Sequence, residues 1–161
     1  MQLASINTNL SEVKMKYEET SLTKDLLDRL IQFSKDWESE NSCYGYIANS
    51  VSDIEGNRIF VATDDGNIIG YLFGHISQSK NMKSIMPEGT PFFEIEELYV
   101  VPQFRSQGVG SSLFSFAVTQ IKETAEYAVL STATKNWKAI LHFYIEELGM
   151  EFWSARLYKK L

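Results

Sequence analysis

Between Val13 and Glu18 the apolar residues Val13, Met15 and Tyr17 alternate with charged neighbours, the period of two that gives a strand one buried face. The period then lengthens. In "SLTKDLLDRLIQFSKDWE" (21–38), Leu22, Leu26, Leu30, Phe33 and Trp37 recur at helical spacing, predicting one or two helices as far as Ala48, with Ser21 or Thr23 as the N-cap. "RIFVATDDGNIIGYLFGHIS" (58–77) holds two β-rich runs around Asp65-Gly66, a hairpin that supplies strands two and three. The polar stretch 78–91, with a glycine and two prolines, reads as a loop, either shaping a substrate site or simply connecting.

"FFEIEELYVV" (92–101) predicts a fourth strand ended by Pro102, which cannot continue a central ladder. From Gly108 onward Val109, Leu113, Phe116, Ala117 and Ile121 return to helical spacing. A strand in "EYAVLSTA", a helix over residues 136–148 stopped by Gly149, and strand-like "MEFWSARLYKKL" complete the chain. The order β-α-α-β-β-β-α-β-α-β predicts a mixed α/β sheet with helices packed on its faces.

A chain of 161 residues fits a single domain, 1–161, with a core that needs no disulfide or structural metal. Cys43 is the only cysteine, so no disulfide forms within the chain. The N-terminal stretch lacks the apolar centre of a signal peptide, and no apolar run nears the roughly 20 residues of a membrane span. A soluble, cytoplasmic protein is expected. A net charge of -6 provides no general attraction to nucleic acid and favours neutral or cationic partners.

Gly108 and Gly110 follow a strand and open a helix. Backbone N–H groups lack partners there and the helix dipole is positive, so either an anion sits close to the backbone or the pair only makes a tight turn. A dinucleotide fingerprint would need a third glycine where Leu113 stands, and a P-loop would need Gly-Lys followed by Ser or Thr. Neither is present.

"RSQGVG" (105–110) resembles the signature of the GNAT superfamily of N-acetyltransferases: Gln or Arg, two residues, Gly, one residue, then Gly or Ala. "LYVVP" before it is similar to that family's fourth strand, and "NWKAILHFYIEELGM" to its second conserved region. Ser106 replaces a glycine often found there. The resemblance implies a mostly antiparallel sheet splayed between strands four and five, and acetyl-CoA as acetyl donor. It further implies that the amides of Ser106, Gln107, Gly108, Val109, Gly110 and Ser111 cradle the pyrophosphate and that Arg105 flanks it. The backbone of Leu98, Tyr99, Val100 and Val101 would pair with the pantetheine arm like an added strand. Asn136 would hold the cofactor or cap its own helix. Dimers are common in this fold, but no interface is legible in the sequence.

Acetyl transfer requires a neutral amine, yet an alkylamine with a pKa of about 10.4 is protonated at neutral pH. Strict alternation places Glu94 and Glu96 on one face of the strand and Glu97 on the other. Because "IEELYV" resembles a stretch of polyamine-acetylating members, Glu96 is the candidate general base, acting through a water, with Glu97 binding the amine or sharing the role. Plain solvated carboxylates are the alternative. By the same resemblance Tyr144 would protonate the departing thiolate, although it lies one residue off the common spacing, which a helix bulge would absorb. It equally fits a core position.

His75 and His142 stand alone without a metal-ligand pattern, and Cys43 has no nucleophile signature. Trp37, Tyr44 and Tyr46 line either an acceptor pocket or the core. The expected reaction is direct acetyl transfer to a primary amine of a polyamine or aminoglycoside-like molecule. A protein N-terminus, a lysine, or a non-catalytic acyl-CoA-binding module are the alternatives.

Overall fold

The computed structural model describes residues 15–161. The first strand, β1 (Lys16–Thr20), covers the second half of the alternating segment, whose Val13 and Lys14 lie outside the described residues. Helix α1 (Lys24–Glu40) starts at Thr23, whose side-chain oxygen accepts the Leu26 N–H at 3.2 Å, and ends at Asn41 in a left-handed conformation. A single turn, α2 (Val51–Ile54), precedes the hairpin of β2 (Arg58–Asp64) and β3 (Asn67–Gln78). Strand β4 (Pro91–Val100), helix α3 (Val109–Ile121), strand β5 (Tyr127–Leu130) and helix α4 (Trp137–Leu141) follow.

The five strands lie in sequence order in one sheet, antiparallel from β1 to β4, with β5 parallel to β4. Period-two alternation divides the core between the two faces. Phe60, Ala62, Leu72, Phe93 and Ile95 meet Leu113, Phe114 and Ala117 of α3 on one face. Ile59, Val61, Tyr71, Phe73 and Tyr99 meet Leu26, Leu30 and Phe33 of α1, with Ile54 of α2, on the other. The expected mixed sheet with helices on both faces is thus present.

The 78–91 segment is a connector. Its base is closed by Ser79 and Thr90, each donating a hydroxyl hydrogen bond to the Pro87 carbonyl, and by the buried Met86.

The strand expected from "MEFWSARLYKKL" is absent: residues 149–161 carry no regular secondary structure, and Leu157 is 94% exposed. The adjacent pairs Phe152-Trp153 and Leu157-Tyr158 send apolar side chains to both faces of any strand. No single buried face drives pairing.

Two irregularities position the site. Phe73 pairs with Glu97 and Gly74 with Ile95, so Glu96 is an extra residue in a β-bulge on β4. Gly74 is what lets the strands approach there: a Cβ at this position would overlap the Glu94 carbonyl oxygen. The second is the early end of the β4–β5 ladder at Ile95 and Leu130. Beyond it, residues 96–100 leave the β5-facing edge of β4 open.

Candidate active site

After β4 the chain makes a short 3-10 turn, Pro102–Phe104, and enters α3 through two left-handed residues, Ser106 (φ 59°) and Gly108 (φ 80°). This conformation explains why glycine is common at the place Ser106 occupies. The N–H groups of the first turn of α3 have no intrahelical acceptors and emerge beside the open end of β4. Gly110 has a different task. A Cβ there would stand 3.3 Å from the Phe143 ring, so glycine permits α3 to pack on the last helix. Arg105 donates to both carboxylate oxygens of Glu40 at 2.9 and 2.7 Å, donates through Nε to the Val100 carbonyl at 2.7 Å, and lies over Tyr99. It ties the end of α1 to the end of β4. Asn136 is the N-cap residue of α4 but makes no side-chain capping bond.

The bulge changes the expected placement of the carboxylates. With one extra residue in the strand, Glu96 and Glu97 face the same side. Together with His75, Phe73 and residues of α2 and its C-terminal turn they line a cavity of about 560 Å³, whose other acidic residues are Asp53 and Glu55. Glu94, opposite His75 in the ladder, lies beside it. The strict alternation that separated Glu97 from Glu94 and Glu96 therefore does not hold.

Glu97 is the buried member, 8% exposed. Its Oε1 accepts from the Tyr46 hydroxyl at 2.8 Å and the Asn49 amide at 3.0 Å, and its Oε2 from the Tyr71 hydroxyl at 2.7 Å. Burial raises its pKa above the ordinary glutamate value, and the three donors offset only part of that rise. Burial and the facing carboxylate in turn keep both tyrosines protonated. Glu96 is half-exposed, with Oε1 3.4 Å from Nδ1 of His75. One atom each from His75, Glu94 and Glu96 can lie within 4.8 Å of the others, a grouping that sequence spacing did not reveal.

Tyr144 lies in a π-helical turn, His142–Glu147, that continues α4. The Leu148 N–H reaches back to the Phe143 carbonyl at 3.1 Å, the five-residue step of a π-bulge. A bulge is what the one-residue spacing offset called for. Burial, then the nearby Cys43, pushes the Tyr144 hydroxyl up to about 12. Cys43 itself bridges to Thr134, joining the loop after α1 to the loop after β5. Trp37 and Tyr46 meet in a tilted pair with ring centroids 4.5 Å apart, and Trp37 also meets Tyr99, so both belong to the core edge, whereas Tyr44 is exposed.

Residues 24–150 match the profile of the Acetyltransferase (GNAT) family. The chain belongs to that family. It is an acetyl-CoA-dependent N-acetyltransferase. Among curated proteins it is 27% identical over 139 residues to an N-alpha-acetyltransferase of Sulfolobus acidocaldarius, covering 83% of this chain and 80% of the relative. Its fold is shared with an aminoglycoside acetyltransferase from an uncultured soil metagenomic sample in complex with sisomicin (20% identity, TM-score 0.64, 91% of this chain and 96% of that one). It is also shared with a ribosomal-protein-alanine N-acetyltransferase of Brucella melitensis (15%, TM-score 0.59, 91% and 99%). Among the described residues of this GNAT chain no helix is long and apolar enough to cross a membrane.

Sequence reasoning missed Tyr71 and Asn49 around Glu97, and named Tyr46 as a pocket or core residue without linking it to that carboxylate. One signal was available: in the β3–β4 register Tyr71 stands opposite Tyr99, diagonal to Glu97 on the same face. The network makes a stability prediction. Folded Glu97 holds its proton more tightly than the unfolded chain, so between 4.5, the ordinary glutamate value, and its raised native value the folded state binds more protons and stability falls as pH rises. Glu97→Gln removes this titration. Thermal melts across this range should show the Tm of the variant gaining on wild type as pH increases; parallel curves would contradict the raised value.

Proposed function

We propose that this acetyltransferase acetylates a primary amine of a cationic small molecule such as a polyamine or an aminoglycoside-like compound. The observation that carries the reading is the acidic cavity at the β4 bulge, beside the open strand edge. Its volume lies in the range of small-molecule sites, and Glu96, Glu97, Asp53 and Glu55 favour a positively charged guest.

In this reading the open backbone of Leu98, Tyr99, Val100 and Val101 pairs with the pantetheine arm of acetyl-CoA. The amides of Ser106, Gln107, Gly108, Val109, Gly110 and Ser111 bind its pyrophosphate. Arg105, anchored on Glu40, fixes the turn and directs its remaining N–H groups to the phosphates, and the uncapped Asn136 amide supports the cofactor from α4. Glu96 accepts the amine proton through a water, and the neutral nitrogen then attacks the thioester carbonyl. Glu97 holds the ammonium before that transfer. Tyr144 meets the thiolate as CoA departs.

A second reading, a protein N-terminus as acceptor, is favoured by the curated relative's description as an N-alpha-acetyltransferase. An α-amine, with a pKa of about 7.7–8.0 against about 10.4 for an alkylamine, depends less on a base. CoA release with acetyl-CoA and a panel of polyamines, aminoglycosides, amino acids and short peptides separates the two. Release with polyamines or aminoglycosides supports the first reading; release confined to peptides replaces it with the second.

A further inference from the structure

Glu96 is the bulged residue of β4, so the ladder gives it no cross-strand partner to set its side-chain direction. What it does have is His75. Nδ1 of that ring lies 3.4 Å from Glu96 Oε1 and 3.3 Å from Asn57 Oδ1, and Nε2 lies 3.8 Å from Glu94 Oε2.

Asn57 decides which ring nitrogen carries hydrogen. Its Nδ2 donates to the carbonyl oxygens of Asp53 at 3.0 Å and Ile54 at 3.1 Å, at the end of α2. Two carbonyl acceptors identify that atom as the amino group and leave the amide oxygen facing the imidazole. An amide oxygen can only accept, so the hydrogen belongs on Nδ1. Glu96 Oε1 stands beside the same Nδ1–H at ion-pair distance, while the directed hydrogen bond goes to Asn57.

We propose that His75 is a positioning residue for the acetyl-transfer reaction: the Asn57 amide fixes its Nδ1–H tautomer, and that N–H aims the Glu96 carboxylate into the acceptor cavity. The inference rests on Glu96 as base. It assigns a role to a histidine on a different strand, and to an asparagine beyond α2 on the wall of the same cavity. The order of dependence is explicit: α2 carbonyls orient Asn57, Asn57 orients the ring, and the ring orients the base. Displacing a reacting group by as little as an ångström is costly in rate.

The test has a spectroscopic and a kinetic arm. Two-bond ¹H–¹⁵N correlation spectra of the full chain, in the neutral-imidazole range, are expected to show His75 as the Nδ1–H tautomer in wild type and to lose it in Asn57→Ala. His142 is assigned by substitution. An Nε2–H ring in wild type overturns the proposal whatever the kinetics. With spermidine or a short peptide as acceptor, whichever releases CoA, His75→Leu should lower kcat on the order of 10-fold with KM little changed. His75→Asn, whose amide N–H takes the place of Nδ1–H, should recover most of that loss.

In a Glu96→Gln background His75→Leu should cost nothing further, because the group it positions is gone. Additive losses, or no rescue by Asn, overturn the positioning role while leaving Glu96 as base. Full turnover by Glu96→Gln overturns the base assignment itself and this inference with it.

Discussion

Glu96→Gln is expected to lower kcat by about 10²- to 10⁴-fold, the usual contribution of a positioned general base, while calorimetry finds acetyl-CoA binding unchanged. Gln keeps the shape of the side chain but accepts no proton. The residual rate should follow the amine's own titration toward about 10.4, so its pH profile should depart from that of wild type. Binding is expected to be spared because the proposed cofactor site lies at the other end of β4, at the open edge and the first turn of α3. An unchanged pH profile would sink the assignment. Glu97 would then be the next candidate, since it shares the cavity and burial raises its pKa, making it the more basic carboxylate.

The two glutamates illustrate how far the sequence could be read. The central strands β2, β3 and β4 were legible as β-rich runs because both of their faces are buried, and α3 by helical spacing because it buries one face. The glycine turn was legible too, since φ values of 59° and 80° restrict the residues that fit. A bulge leaves no such trace. It adds one residue without altering composition, and it reversed the facing of Glu97 relative to Glu94. The only hint was Gly74 inside a strand pattern, which signals close backbone approach.

The C-terminal segment failed for the converse reason. Its residues have strand propensity, but propensity without a one-sided apolar pattern and an available partner makes no ladder. The partners of Glu97 were hidden because Tyr46 and Asn49 come from the irregular chain between α1 and α2, where no periodicity reports direction.

Tyr144→Phe is expected to lower kcat by about 10- to 150-fold, and the size follows from what the hydroxyl can do. At about 12 it remains protonated throughout the working range. Complete transfer of its proton to a thiolate of pKa about 8.5 is uphill by about 5 kcal/mol at 1.36 kcal/mol per unit. In the proposed mechanism Tyr144 would therefore serve the leaving group by hydrogen-bonding the thiolate, and the thiolate would take its proton from solvent after release. A hydrogen bond to a charged group contributes about 1.5–3 kcal/mol, which converts to the stated range. Since no proton leaves the phenol, the pH–rate profile of Tyr144→Phe should keep the shape of wild type at a lower level, in contrast to Glu96→Gln. The π-turn supplies the geometry: its extra residue moves Tyr144 relative to the glycine-containing face of α3 that Phe143 packs on. Full turnover in the variant would assign Tyr144 to packing, and loss of an alkaline limb would show that it transfers its proton after all.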